Sequence, residues 1–96
     1  MEVIYHPLVK RDVAEILRYY HQISPRLAVE FHQELRSMIE RAARTPLRFP
    51  PAGSDFRRIN LKRFPFHVLY DGRQNSIRVM IVRHNKRDPE FGLDRG

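Results

Sequence analysis

The sequence contains no cysteine, which excludes disulfide bonds and thiolate metal sites and fits a reducing cytoplasm. No apolar run approaches the roughly 18 residues that a membrane-spanning helix needs. The first residues, MEVIYHPL, lack the basic region and the long apolar stretch of a signal peptide. From these absences we expect a cytoplasmic protein without a membrane association.

Several common functional motifs are also missing. The four glycines stand alone, so there is no glycine-rich phosphate loop, and no serine-centred nucleophile motif is present. The five histidines show neither HxxxH nor HxH spacing. Because zinc sites without cysteine depend on such histidine spacings, we expect no metal site and no cofactor.

The sequence does contain a pronounced excess of positive charge. With 96 residues, 42% of them hydrophobic and 30% charged, the chain is expected to form one domain spanning residues 1–96. Its net charge of +7 is concentrated in residues 57–87, where Asp71 is the one acid. The basic residues of this segment are Arg57, Arg58, Lys62, Arg63, Arg73, Arg78, Arg83, Lys86 and Arg87. A solvated basic face is the simpler interpretation, but clustered like charges repel, which favours a polyanion or an acidic partner.

The first half of the chain predicts a short strand and two helices. Glu2–Tyr5 is β-prone, and apolar residues then recur at helical spacing over residues 8–21. Ser24-Pro25 is typical of a helix restart, with serine as the N-cap and proline as the first helical residue. The second helix is expected to end near Arg44. Since the break between the helices is short, they should form an antiparallel hairpin.

The second half predicts a loop followed by three strands. Residues 45–54 are rich in proline and should form a loop that tucks Leu47 and Phe49 against the core. Alternating apolar and polar residues then predict strands at 57–61, 66–71 and 76–84, of which the last is apolar on both sides and should be central. The N-terminal strand is expected to pair beside it.

Alternation also predicts which side chains share a face of this sheet. The helices should cover the more apolar face: Ile59, Leu61, Phe66, Val68, Tyr70, Ile77, Val79 and Ile81. The uncovered face should carry Arg58, Lys62, His67, Arg78 and His84. The predicted fold class is therefore α+β: a short N-terminal strand, an antiparallel helical hairpin and a three-stranded antiparallel meander (β-α-α-β-β-β), with the helices packed on one sheet face.

Metal-independent RNA cleavage is one chemistry that these residues would allow. His67 and His84 are candidates for the proton transfers, with Glu90 as an alternative base. Arg58, Arg83 and Arg87 would hold the phosphate, and Phe91 would stack on a base. The plainer interpretation is that each histidine packs at an end of the sheet and that Phe91 docks the C-terminal residues onto the core.

The order and spacing of several motifs resemble the RelE/ParE superfamily of type II toxin–antitoxin modules, and ParE-like more than RelE-like members. The second helix follows an SP-x-x-A-x-x-F-x-x-x-L-x-x-x-I pattern, carried by Ser24, Pro25, Ala28, Phe31, Leu35 and Ile39. Pro46, Gly53, Arg57-Arg58, Leu61, Phe64-Pro65-Phe66 and Tyr70 follow in the family's order, and Arg83-His84 with Arg87-Asp88-Pro89 resembles its H-x-x-RDP ending.

The resemblance implies a toxin that is neutralised by an acidic antitoxin and that meets operator DNA only through that antitoxin. ParE-like members inhibit DNA gyrase by binding, act in plasmid stabilisation and stop growth; RelE-like members cleave mRNA on the ribosome. RelE-like catalysis often uses a tyrosine or histidine near the C-terminus, where this chain carries Phe91 and His84. The gyrase inhibitor is therefore the first hypothesis. A ribosome-dependent endoribonuclease and a non-toxic antitoxin-binding co-repressor are the alternatives.

Two sets of site residues follow from these hypotheses. If the protein is a ribonuclease, the catalytic residues are His84, Arg87 and Arg58. Residues for binding the target or the antitoxin are Arg57, Arg58, Lys62, His67, Arg78, Arg83, Lys86, Arg87 and Phe91.

Overall fold

A computed structural model describes residues 1–53 and 55–96 and shows two helices and five strands in this part of the chain. The elements in chain order are β1 (Glu2–Tyr5), α1 (Val9–Ile23), α2 (Pro25–Arg44), β2 (Pro51–Ala52), β3 (Phe56–Asn60), β4 (Phe66–Gly72) and β5 (Ser76–His84). The predicted α+β class is confirmed.

The helical hairpin turns at one residue. Ser24 is extended, with φ −163° and ψ 129°, and Pro25 begins α2. The prediction that Ser24 occupies the N-cap position is confirmed, but its hydroxyl forms no capping hydrogen bond. Its backbone carbonyl instead accepts from the N–H groups of Leu27 and Ala28, and its own N–H donates to the Tyr20 carbonyl. The reversal is therefore stabilised by backbone hydrogen bonds that join the two helices directly.

The five strands form one sheet in the order β1-β5-β4-β3-β2. β1 runs parallel to β5, and the other neighbouring strands are antiparallel. The predicted meander and the place of the N-terminal strand beside β5 are thus confirmed. Covering on both faces, by the helices on one and by the C-terminal residues on the other, explains why β5 is apolar on successive residues.

The proline-rich loop differs from its prediction in two respects. It contains the two-residue edge strand β2, a position at which proline is tolerated because one side of the strand has no partner. Leu47 is 78% exposed, so its predicted burial is wrong, whereas Phe49 packs against the core as expected. The loop prediction also included Ser54, which lies outside the described residues.

An irregularity in the β4–β5 pairing changes the predicted sheet faces. Leu69 pairs with Ile81 but Tyr70 pairs with Val79, so Met80 is an extra residue in β5. Such a bulge reverses the inside–outside pattern of every residue beyond it. Val82 consequently joins the core under the helices, and the prediction that Ile81 faces the helices is wrong.

Two apolar clusters lie on opposite faces of the sheet. The larger one packs the helices against β3, β4 and β5, and at its centre the rings of Tyr20, Phe31, Phe64 and Phe66 meet mostly edge to face. The smaller cluster lies on the face away from the helices, called the open face here, and consists of Leu69, Met80 and Ile81. The C-terminal tail, residues 85–96, covers this cluster with Phe91.

Candidate functional site

Three predicted site residues lie together on the open face. Strand pairing places Arg58 of β3 opposite Leu69, and His67 of β4 between Asn60 and Arg83 of the flanking strands. Since Leu69 belongs to the open-face cluster and His67 lies two residues before it, Arg58, His67 and Arg83 share that face. Arg78 lies further along the same face, where its guanidinium donates to the Gly96 carbonyl at 3.0 Å.

His67 is held in one tautomer by two hydrogen bonds. Arg83 Nε donates to His67 Nε2 at 2.9 Å, and because arginine is only a donor, Nε2 must be the acceptor. The proton of the neutral ring therefore sits on Nδ1, which lies 2.9 Å from Asn85 Oδ1. Burial is the main cause of the lowered pKa of His67, and the nearby charges of Arg58 and Arg83 lower it further, against the opposing hydrogen bond to Asn85. His67 is thus a neutral structural side chain.

His84 lies on the opposite face of the sheet. It pairs with Phe66, whose ring belongs to the core under the helices and meets the His84 ring edge-on at 5.0 Å. Its Nδ1 accepts from the Lys86 N–H at 3.0 Å, so the neutral ring carries its proton on Nε2. The ring borders a crevice against α1 that Glu15 and Tyr19 also line. The prediction that His84 shares the open face with His67 is therefore wrong, because the bulge at Met80 reverses the end of β5.

Arg57 and Lys62 are placed differently from the other predicted residues. Arg57 donates to the backbone carbonyls of Leu47 and Phe49, at 3.3 and 2.6 Å, and so holds the proline-rich loop against β3. Lys62 lies beyond the end of β3 in an exposed turn, where its backbone N–H donates to the Glu34 carboxylate. The prediction that Lys62 lies on the open face is wrong, because it extended the alternation of the strand past residue 61, whereas β3 ends at Asn60.

The C-terminal tail arranges the remaining basic residues. Arg83 Nη1 donates to the carbonyls of Pro89 and Phe91, at 2.9 and 2.8 Å. The guanidinium carbons of Arg87 and Arg95 lie 4.0 and 5.2 Å from the centre of the Phe91 ring. Phe91 therefore both packs on the sheet and contacts two cations, while Lys86 is exposed in the turn before it.

Sequence reasoning missed a buried ion pair that anchors this tail. Arg95 donates from both terminal nitrogens to the Asp12 carboxylate, at 2.6 and 2.8 Å, and also to the Met80 carbonyl. The side chains of Asp12 and Arg95 are only 6% and 7% exposed. As a charged residue in an amphipathic helix, Asp12 would be expected on the polar side of α1. The available signal was its position three residues after Val9 and four before Ile16, on the stripe that faces the core.

A second candidate surface is a groove of about 800 Å³ bounded by β1, α1 and α2. Its walls are mainly apolar and include Val13, Leu17, Leu35 and Ile39. Tyr5 at its edge is 51% exposed. The exposed cations of the groove are Lys10 and Arg36. An apolar trough flanked by basic side chains suits an amphipathic helix with acidic residues along its edges.

Neither a metal cluster nor a membrane span is found in the described structure. Among residues 1–53 and 55–96, no three histidine, aspartate or glutamate side chains converge as metal ligands. In the same part of the chain, neither helix has the length and apolar character needed to cross a bilayer.

These features define a small basic α+β protein with two chemically different surfaces, one basic and one apolar. A family model described as the ParE toxin of the type II toxin–antitoxin system parDE matches residues 3–89. The chain belongs to this family of type II toxins, and the resemblance drawn from its motifs is confirmed. No curated protein matches the sequence.

A solved structure shares the fold at low sequence identity. It is titled "Chromosomal ParDE TA system from P. aeruginosa" and superposes with a TM-score of 0.77 at 17% identity. The match covers 88% of this chain and 95% of that one. The helical hairpin on a mixed sheet is therefore preserved across a large sequence distance.

Proposed function

We propose that this toxin stops growth by binding DNA gyrase and that its own residues perform no chemistry on the target. The observation that carries this proposal is the separation of the two histidines by the sheet. RNA cleavage without a metal needs a general base and a general acid on either side of one phosphate. His67 is buried with both ring nitrogens engaged, and His84 faces the helices, so these residues do not form such a pair.

The proposed contacts with the target are made by the basic end of the molecule. Arg58, Arg83, Lys86 and Arg87 lie on the open face or in the turn after β5, and Phe91 adds an aromatic ring. Exposed cations beside an aromatic side chain are typical of residues that contribute strongly to protein interfaces. The end of the sheet is therefore the surface we assign to the target.

Neutralisation is assigned to the apolar groove. An antitoxin segment that folds there as an amphipathic helix would bury the exposed Tyr5 and the half-buried Leu17 and place carboxylates near Lys10 and Arg36. Such a partner is supported by the toxin–antitoxin family, and a groove of about 800 Å³ admits several large side chains. The exposed apolar side chains of the groove also favour this assignment, because such a patch commonly marks a protein interface.

The test combines two target assays with one variant. Purified protein is added to a gyrase supercoiling reaction and, separately, to ribosomes translating a defined mRNA. We expect blocked supercoiling and intact mRNA, and His84→Ala should leave the inhibition unchanged. Cleaved mRNA with normal supercoiling would overturn the proposal in favour of a ribonuclease, and the variant would then be expected to lose cleavage. No effect in either assay, with the antitoxin still bound, would identify a non-toxic co-repressor.

A further inference from the structure

The open face carries two arginines whose positive charges have no acidic partner in direct contact. Arg58 lies on β3 and Arg83 on β5, with β4 between them. Neither forms an ion pair with a residue in the described ranges, 1–53 and 55–96. Two cations facing the same side of a sheet repel each other, so an arrangement that keeps them together favours a bound anion.

Both guanidinium groups are oriented by neutral acceptors. Arg58 Nε donates to Asn60 Oδ1 at 2.8 Å, which directs that side chain toward the row of the sheet that contains His67. Arg83 Nε donates to His67 Nε2, and its Nη1 donates to the tail carbonyls. In the described structure, the terminal nitrogens of Arg58 and Nη2 of Arg83 have no protein acceptor. Arg58 therefore keeps a pair of terminal nitrogens that can donate to one oxyanion, and Arg83 keeps a single nitrogen, Nη2.

The proximity of the two arginines is supported by their electrostatics. Burial lowers the pKa of Arg83, and the charge of Arg58 lowers it further, while the carboxylate of Asp88 opposes the change. The same Arg58 charge contributes to the lowered pKa of His67, which lies between the two strands that carry the arginines. The positive charges of both guanidinium groups are therefore felt in the same small region above β4.

We propose that Arg58 and Arg83 form a clamp for the phosphodiester backbone of a nucleic-acid strand. Across β4 their backbones are about 12 Å apart, since two strand spacings of ~4.8 Å combine with an offset of two residues, at ~3.4 Å each, along the strand. A nucleic acid presents a phosphate at every residue and so supplies an anion to each arginine in any register. An acidic peptide has to match this spacing with two particular carboxylates. Lys86 and Arg87 follow Arg83 within four residues of the sequence and add positive charge to this end of the molecule.

The clamp uses two arginines of the surface assigned above to gyrase, so a nucleic acid and gyrase would share that surface. Its assay contains neither gyrase nor the antitoxin, so either proposal can fail without the other. The clamp reads the backbone only, and we expect binding without base preference. The assay is fluorescence anisotropy of the full chain with a labelled 12-nucleotide single-stranded RNA of mixed sequence, repeated with the equivalent DNA. Measuring affinity over a range of salt concentrations reports the number of phosphates contacted.

Arg58→Gln should lower the affinity roughly tenfold and reduce the salt slope by about 0.7, the value for one lost phosphate contact on a single strand. Arg58→Lys keeps the charge but not the paired donors, so its affinity should lie between those of the parent protein and Arg58→Gln. Arg73→Gln is the matched control, because it removes one charge from an arginine that is paired with Asp71 at 3.3 Å. This control should change the affinity less than about twofold.

Three results would overturn the clamp. Equal losses for Arg58→Gln and Arg73→Gln would mean that the strand is attracted by net charge alone. Competition by an oligoglutamate of 12 residues as effective as unlabelled RNA would assign the site to an acidic protein. Absence of binding at low salt would also contradict it. The urea unfolding midpoint of each variant shows that the comparison is made between folded proteins.

Discussion

At the scale of single residues, Asp12 determines how the edge of β5 is completed. β1 pairs only as far as Tyr5 with Val79, so the following part of β5 lacks a neighbouring strand. Asp12 accepts the Val82 N–H at 3.2 Å in place of that strand. It also accepts two hydrogen bonds from Arg95. One carboxylate therefore accepts the otherwise unpaired N–H group at the sheet edge and anchors the C-terminal tail.

We predict that Asp12→Ala lowers the free energy of unfolding by about 3–5 kcal/mol, because it leaves the Arg95 guanidinium buried without a counter-ion. Urea denaturation at neutral pH measures the change. Glu15→Ala is the control on the same helix. Its side chain is 60% exposed and lies 3.5 Å from the more exposed Arg11, and its removal should change stability by less than about 0.5 kcal/mol. A similar effect of the two substitutions would contradict the anchoring role of Asp12.

His67 predicts a pH dependence of stability. Its folded pKa is lowered, so the unfolded chain binds a proton more readily than the folded chain. Stability should therefore be fully present above the unfolded pKa of about 6.5 and decrease as the pH falls below it. The slope contributed by this group is at most about 1.4 kcal/mol per pH unit, which corresponds to one proton.

His67→Gln should make the stability profile flatter between about pH 6.5 and pH 5. Urea midpoints at a series of pH values measure this difference. His32→Gln, at an exposed position on α2, is the control and should reproduce the parent profile. A parent-like slope in His67→Gln would show that other groups cause the loss of stability.

At the scale of elements, the bulge in β5 and the C-terminal tail belong together. The extra residue Met80 directs Ile81 to the open face, where the tail covers it. Gly92 approaches this side chain so closely that an added Cβ would lie 2.9 Å from Ile81 Cδ1. Its φ of +81° is also one that residues with a side chain rarely adopt. Glycine is therefore required for the tail to lie on the sheet.

Gly92→Ala should destabilise the attached tail by about 1–3 kcal/mol, through backbone strain and overlap with Ile81. We expect faster amide hydrogen exchange in residues 89–96 and a smaller effect in the helices. Gly72→Ala is the matched control, since its added Cβ would have no atom within 4 Å. Unchanged exchange in the tail of Gly92→Ala would mean that the tail accommodates the methyl group by a small shift.

At the scale of the whole molecule, the sheet separates an apolar binding groove from a basic surface. The groove is formed by β1 and the helices, whereas Arg58 and Arg83 lie on the open face. The two surfaces are thus available to different partners. Substitutions in one should leave binding to the other unchanged, because sites that share no contacts behave additively.

We predict that Tyr5→Glu weakens antitoxin binding at least about tenfold without weakening nucleic-acid binding. The new carboxylate would lose its hydration in the complex and would compete with the acidic residues of the antitoxin for Arg36. Calorimetric titration with the cognate antitoxin measures the affinity. Tyr19→Glu is the control, as this tyrosine is 58% exposed and does not line the groove. If both variants reduced the antitoxin affinity equally, the antitoxin would bind outside the groove, or the added negative charge would weaken binding wherever it is placed.

The sequence by itself determined the local structure. Apolar spacing located both helices, Ser24-Pro25 located the turn, and alternation located β3, β4 and β5 to within a residue or two. A helical hairpin and a three-stranded meander can bury their apolar faces against each other in only a few arrangements. The α+β class could therefore also be predicted from the sequence. These features depend on residues that are close in the sequence, which is why the sequence alone was enough to predict them.

Only the tertiary structure decided the arrangement of the candidate sites. One extra residue in β5 moved His84 to the other face from His67, and no local pattern marks a bulge whose cause is the pairing of two strands. The Asp12–Arg95 pair joins residues 83 positions apart, and the recruitment of Arg57 to loop carbonyls likewise depends on folding. The chain specifies which charges are present; long-range packing determines which of them are free to bind.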